Sequence, residues 1–199
     1  MLYKSESTEY LFNNLKNGDF FGFYKKPWYY IFARLISFIT GNKLSHVAAV
    51  FDVKRSKDFL TFKLGEQVVS DGKIIKKYSI VKLSEEGYTM DSRFRQKHID
   101  FYLLSNEHIL SKTQNDEIKK YWNEKEDYSL DELAFTVNWF HKLFGNKNKV
   151  YDNNCSTACR QSMLRIGIRD NKFDDPVPNP TEFAKFSYID FITKIDYLK

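Results

Sequence analysis

Apolar residues in this chain fall into short blocks separated by charged turns, and the spacing within each block predicts its form. Over residues 2–16 the positions Tyr10, Leu11 and Leu15 follow helical spacing, which Asn17-Gly18 stops. Asp19 then opens Phe20-Phe21-Gly22-Phe23-Tyr24, a short buried strand. Pro27 suits the first position of a helix over residues 28–40, closed by Gly41-Asn42. Three strand-like runs follow, over 45–53, 59–69 and 73–83. A charged turn joins the first two, and Ser70-Asp71-Gly72, a hairpin signal, joins the last two. Residues 99–104 read as a further strand.

From Lys112 the pattern turns helical. Helices are predicted over 113–125, over 130–144 between Ser129 and Gly145, and over 155–166 up to Gly167, with a short one from Thr181. Strands first and helices last is an α+β order. No repeat and no Gly/Ser- or Pro-rich linker divides the 199 residues, so the chain reads as one domain over 1–199, with the polar stretch 84–96 as a lid or an insertion.

Composition narrows the class. The chain is 42% hydrophobic, 17% aromatic and 29% charged, which excludes a disordered or collagen-like protein. Two cysteines exclude a disulfide scaffold. A net charge of +5 is mild, its Lys and Arg are dispersed, and no nucleic-acid motif is present, so no nucleic-acid partner is expected. Neither Cys-x-x-Cys nor His-x-x-x-His spacing occurs, so no metal and no cofactor are expected. Residues 1–17 lack the apolar core of a signal peptide, and 28–40 is too short to span a bilayer and carries Arg34 at its middle. These features fit a soluble, cytoplasmic protein of a reducing compartment, such as a phage or bacterial cytosol. The 28–40 helix is apolar on almost every side. It is either buried, or it walls an acyl-binding groove or meets a membrane surface with help from Lys25, Lys26 and Arg34.

Candidate chemistry begins at Cys155. Asn153 or Asn154 can cap the helix that follows, which puts Cys155 in its first turn, where free N–H groups and the helix dipole favour a thiolate. Cys159 lies one turn deeper and reads as a core residue. Of the four histidines, His98 and His108 look like surface residues and His141 like a half-buried helical one. His46 heads the apolar strand Val47-Ala48-Ala49-Val50-Phe51, where a polar ring needs a partner. A hairpin centred on Ser56 sets His46 opposite Glu66, with Cβ atoms about 5 Å apart. Asp52 is the alternative partner, because register decides which face Glu66 takes.

In order along the chain stand Gly18-Asp19-Phe20-Phe21, Ser45-His46-Val47-Ala48-Ala49-Val50, Leu64-Gly65-Glu66 before a Gly-containing hairpin, Asn154-Cys155-Ser156, and Pro178-Asn179-Pro180 before a last short helix. From about Gly18 to Ile192 this set resembles the circularly permuted NlpC-like (YiiX-like) papain-superfamily hydrolases. The resemblance implies a papain-like fold in permuted order, with an antiparallel, barrel-like sheet first and the helices bearing the nucleophile last. It implies a thiol hydrolase, an amidase, peptidase or esterase, with Cys155 as nucleophile, His46 as base and Glu66 as orienting group. The oxyanion would be held by the Cys155 N–H and by Asn154 or Tyr151, although the family often has an aromatic residue where Asn154 stands. Substrates implied are cell-wall peptides or lipid-linked acyl groups. The alternatives are a lipid acyltransferase on the same fold and a non-catalytic papain-like binding scaffold.

Overall fold

The computed structural model describes residues 4–6, 8–25, 44–70, 73–86, 88–95, 99–124, 127–129, 155–170 and 180–196. The expected helices over 28–40 and 130–144 lie outside the described residues, as do His98, His141, Tyr151 and Asn154.

The strands are β1 (Lys4–Glu6), β2 (Phe20–Lys25), β3 (His46–Arg55), β4 (Phe59–Ser70), β5 (Lys73–Ser84), β6 (Ile99–Asn106), β7 (Asp127–Ser129) and β8 (Ile189–Ile195). The helices are α1 (Thr8–Asn14), α2 (Lys112–Asn123), α3 (Cys155–Arg165) and α4 (Pro180–Phe183), with a 3-10 helix at Ser92–Arg95. The eight strands form one sheet in the order β1-β8-β6-β2-β3-β4-β5-β7, antiparallel throughout except where β1 runs parallel to β8. The architecture is α+β.

The sequence pattern is met closely in β2 to β6 and corrected elsewhere. The N-terminal helix is shorter than its spacing predicts, because residues 4–6 are instead drawn into the sheet edge beside β8. The last strand, β8, went unread and lies between β1 and β6, so strands also end the chain. The sheet does not close into a barrel: among the described residues β1 and β7, three residues each, are its two ends. In place of closure, side chains fill one face, where Phe94 and the α1 segment's Leu11 and Leu15 are fully buried against β2, β4 and β6.

Both faces of β3 are covered, which is why Val47 to Phe51 is apolar without alternation. Val47, Ala49 and Phe51 face α2, α3 and α4, while Ala48 and Val50 face the Phe94 side. Helix α2 starts one residue earlier than its apolar spacing suggests, because Ser111 and Gln114 form a reciprocal capping box.

The Gly18-Asp19 pair fixes the start of β2. Gly18 has φ +89°, and a Cβ there would lie 2.6 Å from Leu110 Cδ1, so the turn requires glycine. The buried Asp19 carboxylate accepts from Lys16 N at 2.8 Å and from Asn106 N at 2.9 Å. Asn106 Nδ2 in turn donates to Gly18 O at 3.0 Å and contacts Met163 Sδ at 3.5 Å. This network pins β2 to the end of β6 and both to α3, and β2 in turn sets β3, with Phe23 paired to His46.

Candidate active site

The site is built where β3 and β4 part. Their ladder runs from Arg55–Leu60 to Ala49–Gly65, yet both strands continue, to His46 and to Ser70. In the gap, the Val47 N–H lies near enough to the sulfur of Cys155 to favour its thiolate. Helix α3 packs on β3 and β4, and Cys155 is its first residue, where backbone N–H groups lack intrahelical partners. The preceding Ser45 holds the entry to β3, its N–H and its hydroxyl both donating to Phe23 O at 2.8 and 2.9 Å.

His46 Nε2 lies 3.1 Å from Glu66 Oε2. With Nε2 committed to a carboxylate, Nδ1 is the nitrogen left to interact with the Cys155 thiol, to which the His46 ring is coupled. The register differs from direct opposition. The ladder, extended one step, sets Glu66 beside Ala48, diagonal to His46. A bulge between Phe51 and Lys54, where Asp52 takes φ 54°, and a turn displaced beyond Ser56 cause the offset. The offset is an even number of residues, so Glu66 keeps the face of His46, and the two long side chains span the diagonal. Asp52, the alternative partner, sits at the bulge instead, with Lys63 and Lys119 each 3.4 Å away. His108 is an exposed residue beside Glu107.

Electrostatics couple the three groups. Burial disfavours charge on His46, but the Cys155 sulfur and Glu66 outweigh it and push the imidazole up to about 10. Burial likewise opposes a Cys155 thiolate, and His46, the Val47 N–H and Ser156 outweigh it, drawing the thiol below its usual range. Both shifts favour a thiolate–imidazolium pair. Burial drives the Cys159 thiol well above its usual range, and that side chain is fully buried. Cys155 is half-buried and the His46 side chain is 25% exposed, so the pair is reachable from solvent. Both thiols are free.

One group at the site was not foreseen. Arg93 Nη1 donates to Glu66 Oε1 at 2.6 Å, on the carboxylate oxygen that His46 leaves open. Arg93 comes from the 84–96 stretch, whose polar composition hides its role. Phe94, an aromatic residue between two arginines, is the signal there. It is fully buried, with ring centroids 5.1 Å from Phe101, 5.3 Å from Phe21 and 6.0 Å from Phe23. Phe23 also meets the His46 ring at 5.9 Å, so the same aromatic cluster backs the imidazole and anchors the arginine's helix.

Among the described residues no group of three or more His, Cys, Asp or Glu side chains is placed to hold a metal ion, and no helix is long and apolar enough to cross a membrane. No protein-family model matches the chain, and no curated protein matches it significantly in sequence.

Proposed function

We propose that the protein is a cysteine hydrolase of amide or ester bonds, on a papain-like chain in circularly permuted order, with Cys155, His46 and Glu66 as its catalytic set. The observation that carries this reading is the His46 ring held by Glu66 at 3.1 Å and coupled electrostatically to the Cys155 sulfur, which stands at the first residue of a helix. A thiol serving only as packing would gain nothing from a charged imidazole beside it. Cys159, fully buried one turn away, shows the environment of such a thiol.

In the reaction, the Cys155 thiolate attacks the substrate carbonyl carbon and forms a C–S bond. The oxyanion that develops is met by the Cys155 N–H at the start of α3. Asn154 or Tyr151 is the second donor in this reading. As the tetrahedral species collapses, the scissile bond breaks, and imidazolium His46 gives its proton to the leaving amine or alcohol. Neutral His46 then takes a proton from water, whose oxygen attacks the thioester carbon and releases the acid and the thiolate. Glu66 holds the ring in one tautomer through both steps. Cell-wall peptides and lipid-linked acyl groups are the substrate classes that the ordered motifs suggest.

Purified protein incubated with peptide-amide and acyl-ester libraries tests the reading. His46→Ala is expected to lower turnover by about 10²–10⁴-fold, the usual worth of a positioned general base. Glu66→Gln should leave a measurable fraction, because an amide still orients the ring. Acyl transfer to an added alcohol, in place of free acid, would make the protein an acyltransferase. No Cys155 acyl adduct with any substrate, in protein whose fold is intact, would leave a binding scaffold.

A further inference from the structure

We infer that Arg93 is a positioning residue of this site: its guanidinium fixes Glu66, and through Glu66 the His46 ring, in one arrangement beside Cys155. This rests on the proposed Cys155–His46–Glu66 set and extends it by a fourth member.

The geometry is specific. Glu66 is buried, and each of its oxygens has one cationic partner, Oε2 with His46 at 3.1 Å and Oε1 with Arg93 at 2.6 Å. A carboxylate held at one oxygen can still swing about its own axis; held at both, it has one orientation. Arg93 is itself held by two further residues. Its Nη2 donates to Ser79 Oγ on β5 at 2.6 Å, its Nε donates to Asp91 Oδ1 at 2.9 Å, and Nη2 also meets Asp91 Oδ2. The Arg93 backbone N–H donates to the same Asp91 Oδ1 at 3.0 Å, which closes a tight turn before the 3-10 helix. Phe94 then locks that helix into the apolar face.

The charged groups facing Glu66 are His46 from β3, Arg93 from the 3-10 helix and Lys77 from β5, with Cys155 beyond His46 on α3. Although burial opposes ionisation of Glu66, His46 and Arg93 hold its carboxyl below the usual range. Loss of Arg93 lets Glu66 take a proton at higher pH, which weakens its hold on imidazolium His46. It also removes a positive charge near the thiolate. Both effects raise the pH at which Cys155 protonates.

The test is the pH dependence of Cys155 alkylation by iodoacetamide, followed by mass spectrometry from pH 4 to 9, in the parent, Arg93→Gln and Arg93→Lys. Arg93→Met serves as a second neutral variant if Arg93→Gln does not fold. The neutral variant is expected to move the acid limb up by about one pH unit, or roughly tenfold in rate below it. Arg93→Lys should reverse most of the shift. A purely structural arginine would lower the melting temperature and leave the limb in place. An unmoved limb in a folded neutral variant, with Cys155 of the parent fast at acidic pH, overturns this inference alone. A parent Cys155 no faster than Cys159 overturns the catalytic reading beneath it.

Discussion

Gly65 stands immediately before Glu66, and replacing it with alanine offers a direct check on how the site is supported. A Cβ at this position would lie 2.6 Å from Trp122 Cε2 and 2.7 Å from Cγ, and closer still to Cδ2. Carbon atoms in ordinary contact sit about 3.5–4.0 Å apart, so the indole or the strand must retreat by about 1 Å. Trp122 has little room to do so, being 1% exposed and packed edge-on against Tyr121 at 5.2 Å between centroids. Forced insertion into a filled core costs about 1–3 kcal/mol. For a domain of this size each kcal/mol lowers Tm by about 2–4 °C, so Gly65→Ala is expected to melt about 2–12 °C below the parent.

Urea denaturation and thermal melting measure the loss, and a double-mutant cycle with Trp122→Leu assigns it. If the clash with the indole is the cause, Gly65→Ala should cost much less in the Trp122→Leu background. Alkylation of Cys155 then distinguishes which partner moved. A displaced indole leaves Glu66 in place and the alkylation rate unchanged; a displaced strand pulls Glu66 from His46 and slows it. An unchanged Tm in the single variant, or equal costs in both backgrounds, would refute the packing argument.

Further expectations concern reactivity and pH. Brief iodoacetamide treatment at mildly acidic pH should label Cys155 and spare Cys159, because only the first is accessible and has its thiolate stabilised by His46; equal labelling, read by mass spectrometry, would contradict this. Burial raises Asp19 from 3.8 to about 7 against the pull of its two backbone donors. The folded protein therefore holds a proton that the unfolded chain has released, and this group's contribution is fully present below pH 4 and lost as pH rises to 7, by about 4 kcal/mol. Asp19→Asn should flatten that part of the stability–pH curve measured by urea denaturation, even if it lowers stability overall, and an unaltered slope would count against it.

Legibility in the sequence followed the physics of each element. The strands β2 to β6 were readable because continuous apolar runs and a Ser-Asp-Gly turn leave few alternatives. Cys155 and His46 were readable because a helix start and a polar head on a buried strand are local signals. Glu66 was reached through a register that was off by an even number of residues, which kept the face but not the opposition. The three-residue edge strands β1 and β7 were not legible, since so short a strand acquires its form from the neighbour it pairs with, and β8, between β1 and β6, went unread as well. The same holds for Arg93, whose role depends on Phe94 finding three other strands and on Glu66 offering a second oxygen, both long-range facts that no window of sequence contains.

With Cys155 and His46 as the proposed thiolate–imidazolium pair, the charges alternate outward through carboxylate Glu66, guanidinium Arg93 and carboxylate Asp91. Each member is partly or wholly withdrawn from water, with side-chain exposures of 25% for His46, 8% for Glu66, 24% for Arg93 and 12% for Asp91. In such surroundings an ion is tolerable only with an opposite charge in contact, and deleting an interior member leaves its neighbours uncompensated. The consequences should therefore be graded by position. His46 is coupled directly to the Cys155 sulfur, so its loss removes both the proposed base and the counter-charge. Glu66 acts through one ring, and Arg93 through a carboxylate and a ring, so their effects should decline in that order. The series ends on Ser79 of β5 and on the Arg93 backbone N–H, neutral groups fixed by the sheet and by Phe94. Reactivity at the start of α3 is thereby tied to packing on the far side of β4.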